Sequence, residues 1–172
     1  MSFSSPTPQE HKASAPRTIR CAVITVSDTR TLENDSGGQQ VVDRLLRAGH
    51  LVVAREIIRD DPQAMRQLLG SMRGQDELDA ILMTGGTGIT SRDQTYETVT
   101  SMLSKSLPGY GELFRMLSYQ EIGSAAMLSR ATGGLLEQKV LLTMPGSPAA
   151  VALAMEKLIL PELGHLVREA RR

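Results

Sequence analysis

Four short aliphatic runs each stop at a polar or glycine-rich turn, and this recurrence constrains the fold more than any other feature of the chain. The runs are residues 19–26, 51–58, 78–83 and Val140-Leu141-Leu142. They are apolar over most of their length and rich in β-branched residues, as strands are when both sheet faces are buried. Helical spacing fills the gaps between them. Val41, Val42, Leu45 and Leu46 recur on one face and stop at Gly49. Met65, Leu68, Leu69 and Met72 do the same behind Asp60-Asp61-Pro62, an aspartate cap with proline in the first turn. Strands alternating with helices predict an α/β fold with a mostly parallel sheet, covered on both faces and joined by right-handed crossovers.

The rest of the chain follows the same grammar. A helical pattern resumes after Asp93, runs through Val99 and Leu103, and is broken by Pro108-Gly109-Tyr110-Gly111-Glu112. A helix over about 112–122 is expected next, and then a short strand or hairpin arm leading into the core strand within 132–143. Pro145-Gly146-Ser147-Pro148 starts a helix over about 149–160. A separate terminal helix begins at Pro161 and ends in basic residues, which suit a helix C-terminus. Residues 1–17, rich in Ser and Pro, read as a disordered arm, and residues 18–172 as one domain.

Composition narrows the function classes. With 19 basic and 19 acidic residues the formal charge is zero, which argues against a non-specific nucleic-acid or anionic-membrane surface. No stretch approaches the roughly 18 apolar residues of a membrane span. The single cysteine, Cys21, excludes an intrachain disulfide framework and reads as a buried thiol in an apolar run. A cytoplasmic protein is expected. At 3% aromatic residues, its core should be aliphatic. His11, His50 and His165 share no metal-ligand spacing.

In an open α/β sheet, ligands bind beyond the carboxyl ends of the strands. Polar or glycine-rich groups stand at four such ends: Ser27-Asp28, Asp60-Asp61, Thr84 through Asp93, and Pro145 through Pro148. If the strands are parallel, all four share one rim. Thr84-Gly85-Gly86-Thr87-Gly88 can offer backbone N–H groups to an anion; it can also be a turn that needs glycine for conformation alone. No Gly-Lys-Ser/Thr follows, so this is not a P-loop. Asp28 can serve as a turn residue, and Asp60 and Asp93 as helix caps. Set on a phosphate rim, however, carboxylates repel a phosphate unless a cation lies between, which is the physical case for a nucleotide–metal site. Arg92 can touch a phosphate or brace the loop by a salt bridge, and the brace is preferred.

These residues match a known pattern. Ser27-Asp28, the stretch TGGTG-x3-RD-x-T from Thr84 to Thr95, Pro108-Gly109-Tyr110-Gly111-Glu112, Ser129-Arg130 and Met144-Pro145-Gly146-Ser147-Pro148 occur in the order found in the MoaB/MogA family of molybdenum cofactor biosynthesis proteins, which the chain resembles from about residue 20 to 163. Its length and C-terminal helix are more similar to the MoaB branch. The resemblance implies a three-layer α/β/α sandwich assembled as a homotrimer or homohexamer. It implies binding of molybdopterin and its adenylylation with ATP and Mg²⁺, alongside other proteins of the pathway. The family's two acids fall on Asp60 and Asp93, as catalytic residues and Mg²⁺ ligands. Its pterin- and phosphate-binding positions fall on Ser27, Asp28, Thr84, Gly85, Gly86, Thr87, Gly88, Thr95, Glu112, Ser129, Pro145, Gly146, Ser147 and Pro148. Two other readings stay open: a non-catalytic molybdopterin-binding or scaffold protein, and a different nucleotide-binding α/β protein.

Overall fold

The computed structural model describes residues 16–172, so the arm expected over 1–17 lies outside the described residues except for Pro16 and Arg17. Six strands, β1 (Arg20–Val26), β2 (Leu51–Ile58), β3 (Ala80–Thr84), β4 (Lys105–Ser106), β5 (Gly133–Leu136) and β6 (Lys139–Met144), form one sheet in the order β2-β1-β3-β6-β5-β4. The strands at the four aliphatic runs, β2, β1, β3 and β6, are parallel neighbours, with β2 at the edge of the sheet and only partly covered. Their carboxyl ends are level: Val26 lies beside Ile58, Thr25 beside Thr84, and Thr84 beside Met144. The chain leaves β1 for β2 on one side and then returns to place β3 on the other. The β1/β3 junction is therefore the point where strand order reverses and where such folds open a crevice.

The helices are α1 (Ser36–Arg47), α2 (Pro62–Met72), α3 (Thr95–Met102), α4 (Pro108–Ile122), α5 (Pro148–Ala154) and α6 (Leu160–Ala170), with a 3₁₀ turn over Gly123–Leu128. On one sheet face, Cys21, Val23, Leu82 and Leu142 pack under Val41 and Leu45 of α1, Phe114 of α4, Val151 of α5 and Leu163 of α6. On the other, Ala22, Ile24, Ile81 and Met83 pack under Met65, Leu69 and Met72 of α2 and Val99 of α3. This is the three-layer α/β/α arrangement. Aliphatic side chains dominate the core, with Phe114 and Tyr110 its aromatic members. Burial raises the Cys21 thiol to about 12, leaving it un-ionised and inert at neutral pH.

Two local expectations are corrected and one strand was not anticipated. Pro108-Gly109 does not break a helix but begins one: Pro108 occupies the first turn of α4, where its missing N–H is no loss, so the helix starts four residues before Glu112. β4 is two exposed residues with no apolar pattern, and pairing with β5 alone makes it a strand. The two C-terminal helices are one run, because a π turn (Met155–Ile159) joins α5 to α6. The Leu160 N–H bonds the Met155 carbonyl five residues back. The wider turn accommodates Pro161, which has no N–H and would crowd an ordinary α turn.

The amino ends of the strands are tied by Asp79. Its buried carboxylate accepts from Arg20 N and Arg20 Nη2 at 2.8 Å and from Arg20 Nε at 3.2 Å, and it pairs with Arg171 near the C-terminus. Burial opposes its charge, but the Arg20 hydrogen bonds and the Arg171 charge outweigh burial and hold the carboxyl below the usual range. A lowered folded pKa stabilises the fold above the unfolded pKa, and that contribution is lost as pH falls through the folded value. Asp79→Asn should therefore cost about 1–3 kcal/mol at pH 7. In thermal melts, the gap from the parent protein should close at acid pH.

Candidate functional site

The rim is drawn together by backbone contacts. Ser27 N donates to Ile58 O at 2.8 Å and Gly85 N to Met144 O at 3.1 Å, while Thr84 Oγ1 donates to Pro145 O at 3.2 Å. Glycines stand where these turns touch. A Cβ on Gly37, in the first turn of α1, would stand 2.9 Å from the Gly146 carbonyl oxygen; one on Gly146 would be 3.4 Å from Gly85 Cα. The start of α1, the turn after β3 and the turn after β6 thus meet backbone to backbone.

Above this junction opens a crevice of about 430 Å³. Its floor is Gly85, Gly86, Thr87, Gly88 and Asp93, with Pro145, Gly146 and Ser147 beside them. Its wall comes from α4 and the following 3₁₀ turn: Phe114, Ser118, Ile122, Ala125, Leu128 and Ser129. A glycine-lined floor under a mostly apolar wall suits a ligand with a flat, partly apolar body that approaches the backbone closely. The Oγ of Ser129 is buried with no hydrogen-bond partner.

The two acids flank the glycine turn. The Asp93 carboxylate lines the crevice and is folded into its own loop, accepting from Thr90 N at 2.9 Å, from Thr90 Oγ1 at 2.5 Å and from the Gly88 amide. The Thr90 hydroxyl above all, with the two amides and the Arg130 charge, outweighs partial burial and holds its pKa below the usual range. Asp60 lies outside the crevice lining, in an adjoining hollow of about 570 Å³ shared with Asp28, Arg59 and Arg92. Its Oδ1 accepts the Gln94 N–H at 3.0 Å, while its Oδ2 reaches the Gly86 Cα, where a Cβ would stand 2.6 Å away. Thr95 Oγ1, buried and unpartnered, closes on the same spot. Burial chiefly, then the charges of Asp93 and Asp28, raises the Asp60 pKa against the effects of Gln94 and Arg92.

Helix capping is assigned differently from either residue's sequence reading. Asp61, not Asp60, caps α2 by accepting the Ala64 N–H at 2.7 Å. Asp93 does not cap α3, whose start is held by the Asp60–Gln94 bond instead. Ser27 Oγ accepts the N–H groups of Thr29 and Arg30, a turn duty. Asp28 accepts the Asp60 N–H at 3.3 Å and pairs with Arg92, so the brace reading of Arg92 holds. The Arg92 hydrogen bond holds Asp28 below the usual carboxylate range, against some burial. Ser147 caps α5 through Ala150 N at 3.3 Å, with Pro148 behind it in the first turn. Glu112 does not join the crevice; it lines a separate hollow of about 360 Å³ with Tyr96, Arg115 and Arg130, because α4 begins earlier and turns this position away. Sequence reading missed the α4 wall, which carries no motif, and Gly37, whose signal was only its place beside Gly38.

A family model described as "Probable molybdopterin binding domain" matches residues 22–165. Molybdenum cofactor biosynthesis protein B of Bacillus subtilis is 53% identical over 167 residues, 95% of this chain and 97% of that one. The chain belongs to the MoaB/MogA family of molybdenum cofactor biosynthesis proteins. A crystal structure of a molybdenum cofactor biosynthesis protein B superposes with a TM-score of 0.89 at 51% identity, covering 92% of this chain and 99% of that one. The tungsten cofactor synthesizing protein MoaB from Pyrococcus furiosus gives 0.80 at 34% identity, covering 92% and 100%. The family's molybdopterin-binding domain therefore spans nearly all the described residues, and the crevice lies within it. Among the described residues, no helix is long and apolar enough to cross a membrane. Nor do three or more His, Cys, Asp or Glu residues cluster as a metal site.

Proposed function

We propose that this chain binds molybdopterin in the crevice and adenylylates it with ATP and Mg²⁺ in the cytoplasm. The observation that carries the reading is the glycine floor at the strand ends, flanked by Asp60 and Asp93 and facing an apolar wall with the unpartnered Ser129 hydroxyl. The terminal phosphate of molybdopterin would attack the α-phosphorus of ATP. One P–O bond forms, the bond to the β-phosphate breaks, and pyrophosphate leaves. The attacking oxygen is already anionic, so the protein needs no strong base; it must position two phosphates and offset their repulsion.

The residues present fit Mg²⁺. Such ions take one or two carboxylates and complete their shell with phosphate oxygens and water, so the lack of a larger acidic cluster is no obstacle. Asp60 Oδ2 and Thr95 Oγ1, which both lie against Gly86, would hold it with help from Asp93. When bound, the ion would neutralise phosphate charge.

Pyrophosphate release from ATP, Mg²⁺ and molybdopterin tests this reading, and release that does not depend on molybdopterin would refute it. One observation favours a non-catalytic, pterin-holding role: the Asp93 carboxylate already takes three hydrogen bonds within its own turn. That reading predicts molybdopterin binding with no pyrophosphate. Ser129→Ala should weaken molybdopterin binding about 3- to 10-fold, the worth of one neutral hydrogen bond, with Tm unchanged; equal affinity in a fluorescence titration would remove Ser129 from the site.

Assembly into a homotrimer or homohexamer, working with other proteins of the pathway, belongs to the same proposal. Leu113, Met116 and Ile122 on α4, and Met127 just after it, are exposed apolar side chains, as an interface between copies requires. Light scattering that returns a monomer would count against it.

A further inference from the structure

We propose that Arg130 is a positioning residue that sets the 87–93 loop and, through it, the Asp93 carboxylate; its ligand-binding consequence rests on the crevice being the molybdopterin site proposed above. Arg130 does not line the crevice; it lines the separate hollow shared with Tyr96 and Glu112. Its Nε donates to the Thr87 carbonyl at 3.1 Å, and its Nη2 donates to the Gly88 carbonyl and, at 3.3 Å, to the Asp93 carbonyl. Its Nη1 pairs with Glu97, and its guanidinium carbon sits 5.2 Å from the centre of the Tyr96 ring. One planar cation thus ties both ends of the loop to each other and to the first turn of α3.

The consequence follows peptide by peptide. In a trans peptide, C=O and N–H point in opposite directions. The Thr87–Gly88 peptide is held at both ends, its carbonyl by Arg130 and its N–H by the Asp93 carboxylate. The Gly88 carbonyl, turned to Arg130, aims the following N–H away from the guanidinium. Asp93 is fixed at its backbone by Arg130 and at its carboxylate by Gly88 and Thr90. With Gly88 in the loop and Gly85-Gly86 just before it, the loop has little stiffness of its own. The rigid fork supplies what the glycines lack. An ammonium group cannot reproduce it, because it offers donors from a single point without the planar spread.

The test uses the full chain, with Arg130→Ala and Arg130→Lys. Amide hydrogen exchange, measured without ligand, should rise about tenfold or more in residues 88–93 of both variants, while β1, β3 and β6 keep parent protection. Molybdopterin affinity should fall about tenfold in the same samples. Millimolar ethylguanidinium should restore slow exchange and affinity to Arg130→Ala, and ethylammonium should not. Parent-like exchange in residues 88–93, full function in Arg130→Lys, or loss of protection across the whole sheet would each overturn the proposal, the last because Arg130 would then support the fold and not the loop. If the parent protein fails to bind molybdopterin, the proposed function fails, yet the exchange data still decide the role of Arg130.

Discussion

Asp60→Asn is expected to lower adenylyl transfer about a thousandfold while leaving molybdopterin affinity within a fewfold of the parent. The change is conservative: an asparagine oxygen can still accept the Gln94 N–H that starts α3, so the rim should keep its shape. What disappears is the negative charge at Gly86, where Asp60 Oδ2 and Thr95 Oγ1 meet. The same substitution should raise stability at pH 7, by on the order of 1–2 °C in Tm. Asp60 is raised above the ordinary carboxylate range, first by burial and then by Asp93 and Asp28, so its charged form weakens the native state at neutral pH. That penalty disappears as pH falls and the folded carboxyl takes up its proton, and the stability difference should close there. Turnover of the parent should likewise decline on the acid side at a higher pH than an unperturbed aspartate would give. A variant that turns over normally, or that melts well below the parent at pH 7, would remove Asp60 from the proposed role.

Gly85→Ala should be the most damaging single change on the rim. Gly85 has φ +95°, a conformation that L side chains rarely adopt, and a Cβ there would overlap the carbonyl oxygen of Val26 at the end of β1. The obstacle is backbone inside a parallel pair, so it cannot rotate away as a side chain would. Relief requires moving the end of β3 from β1, at the cost of the Gly85 N–H bond to Met144. A loss of about 3 kcal/mol or more is expected, or roughly 6–12 °C in Tm, together with loss of molybdopterin binding. A melt within 2 °C of the parent would show that the turn can deform at little cost.

The parallel half of the fold was legible because each of its strands is aliphatic over most of its length and ends in residues that cannot continue it. Val26 gives way to Ser27-Asp28, Met83 to Thr84-Gly85-Gly86, and Leu142 soon after to Pro145-Gly146. What was not legible depends on distant partners. β4 exists only because β5 lies beside it. Pro161 looks like a helix boundary until the π turn before it is seen. In the candidate site, Asp60, Asp93 and Ser129 were singled out by their place in the pattern, but the contacts they make were not legible. Asp60 serves α3 from 34 residues away, and Asp93 serves its own turn. Arg130 stood in the Ser-Arg pair all along; its grip on carbonyls 37 to 43 residues earlier is a tertiary fact that no local spacing encodes.

The backbone junction of Gly37, Gly85 and Gly146 has a consequence for how such a crevice can change over time. An added Cβ on Gly37 or Gly85 would meet backbone, so neither position can be exchanged to alter what the floor accepts. The opposite wall, Phe114, Ser118, Ile122 and Leu128, is built from side chains of graded size and exposure. Drift and selection therefore have an unequal field to work in. The glycine end is constrained by backbone contact at Gly37 and Gly85, while the α4 side of the crevice is lined by positions that can be swapped one at a time. New ligand preferences in a protein of this build should arise by substitution along α4, with the glycine turns inherited unaltered.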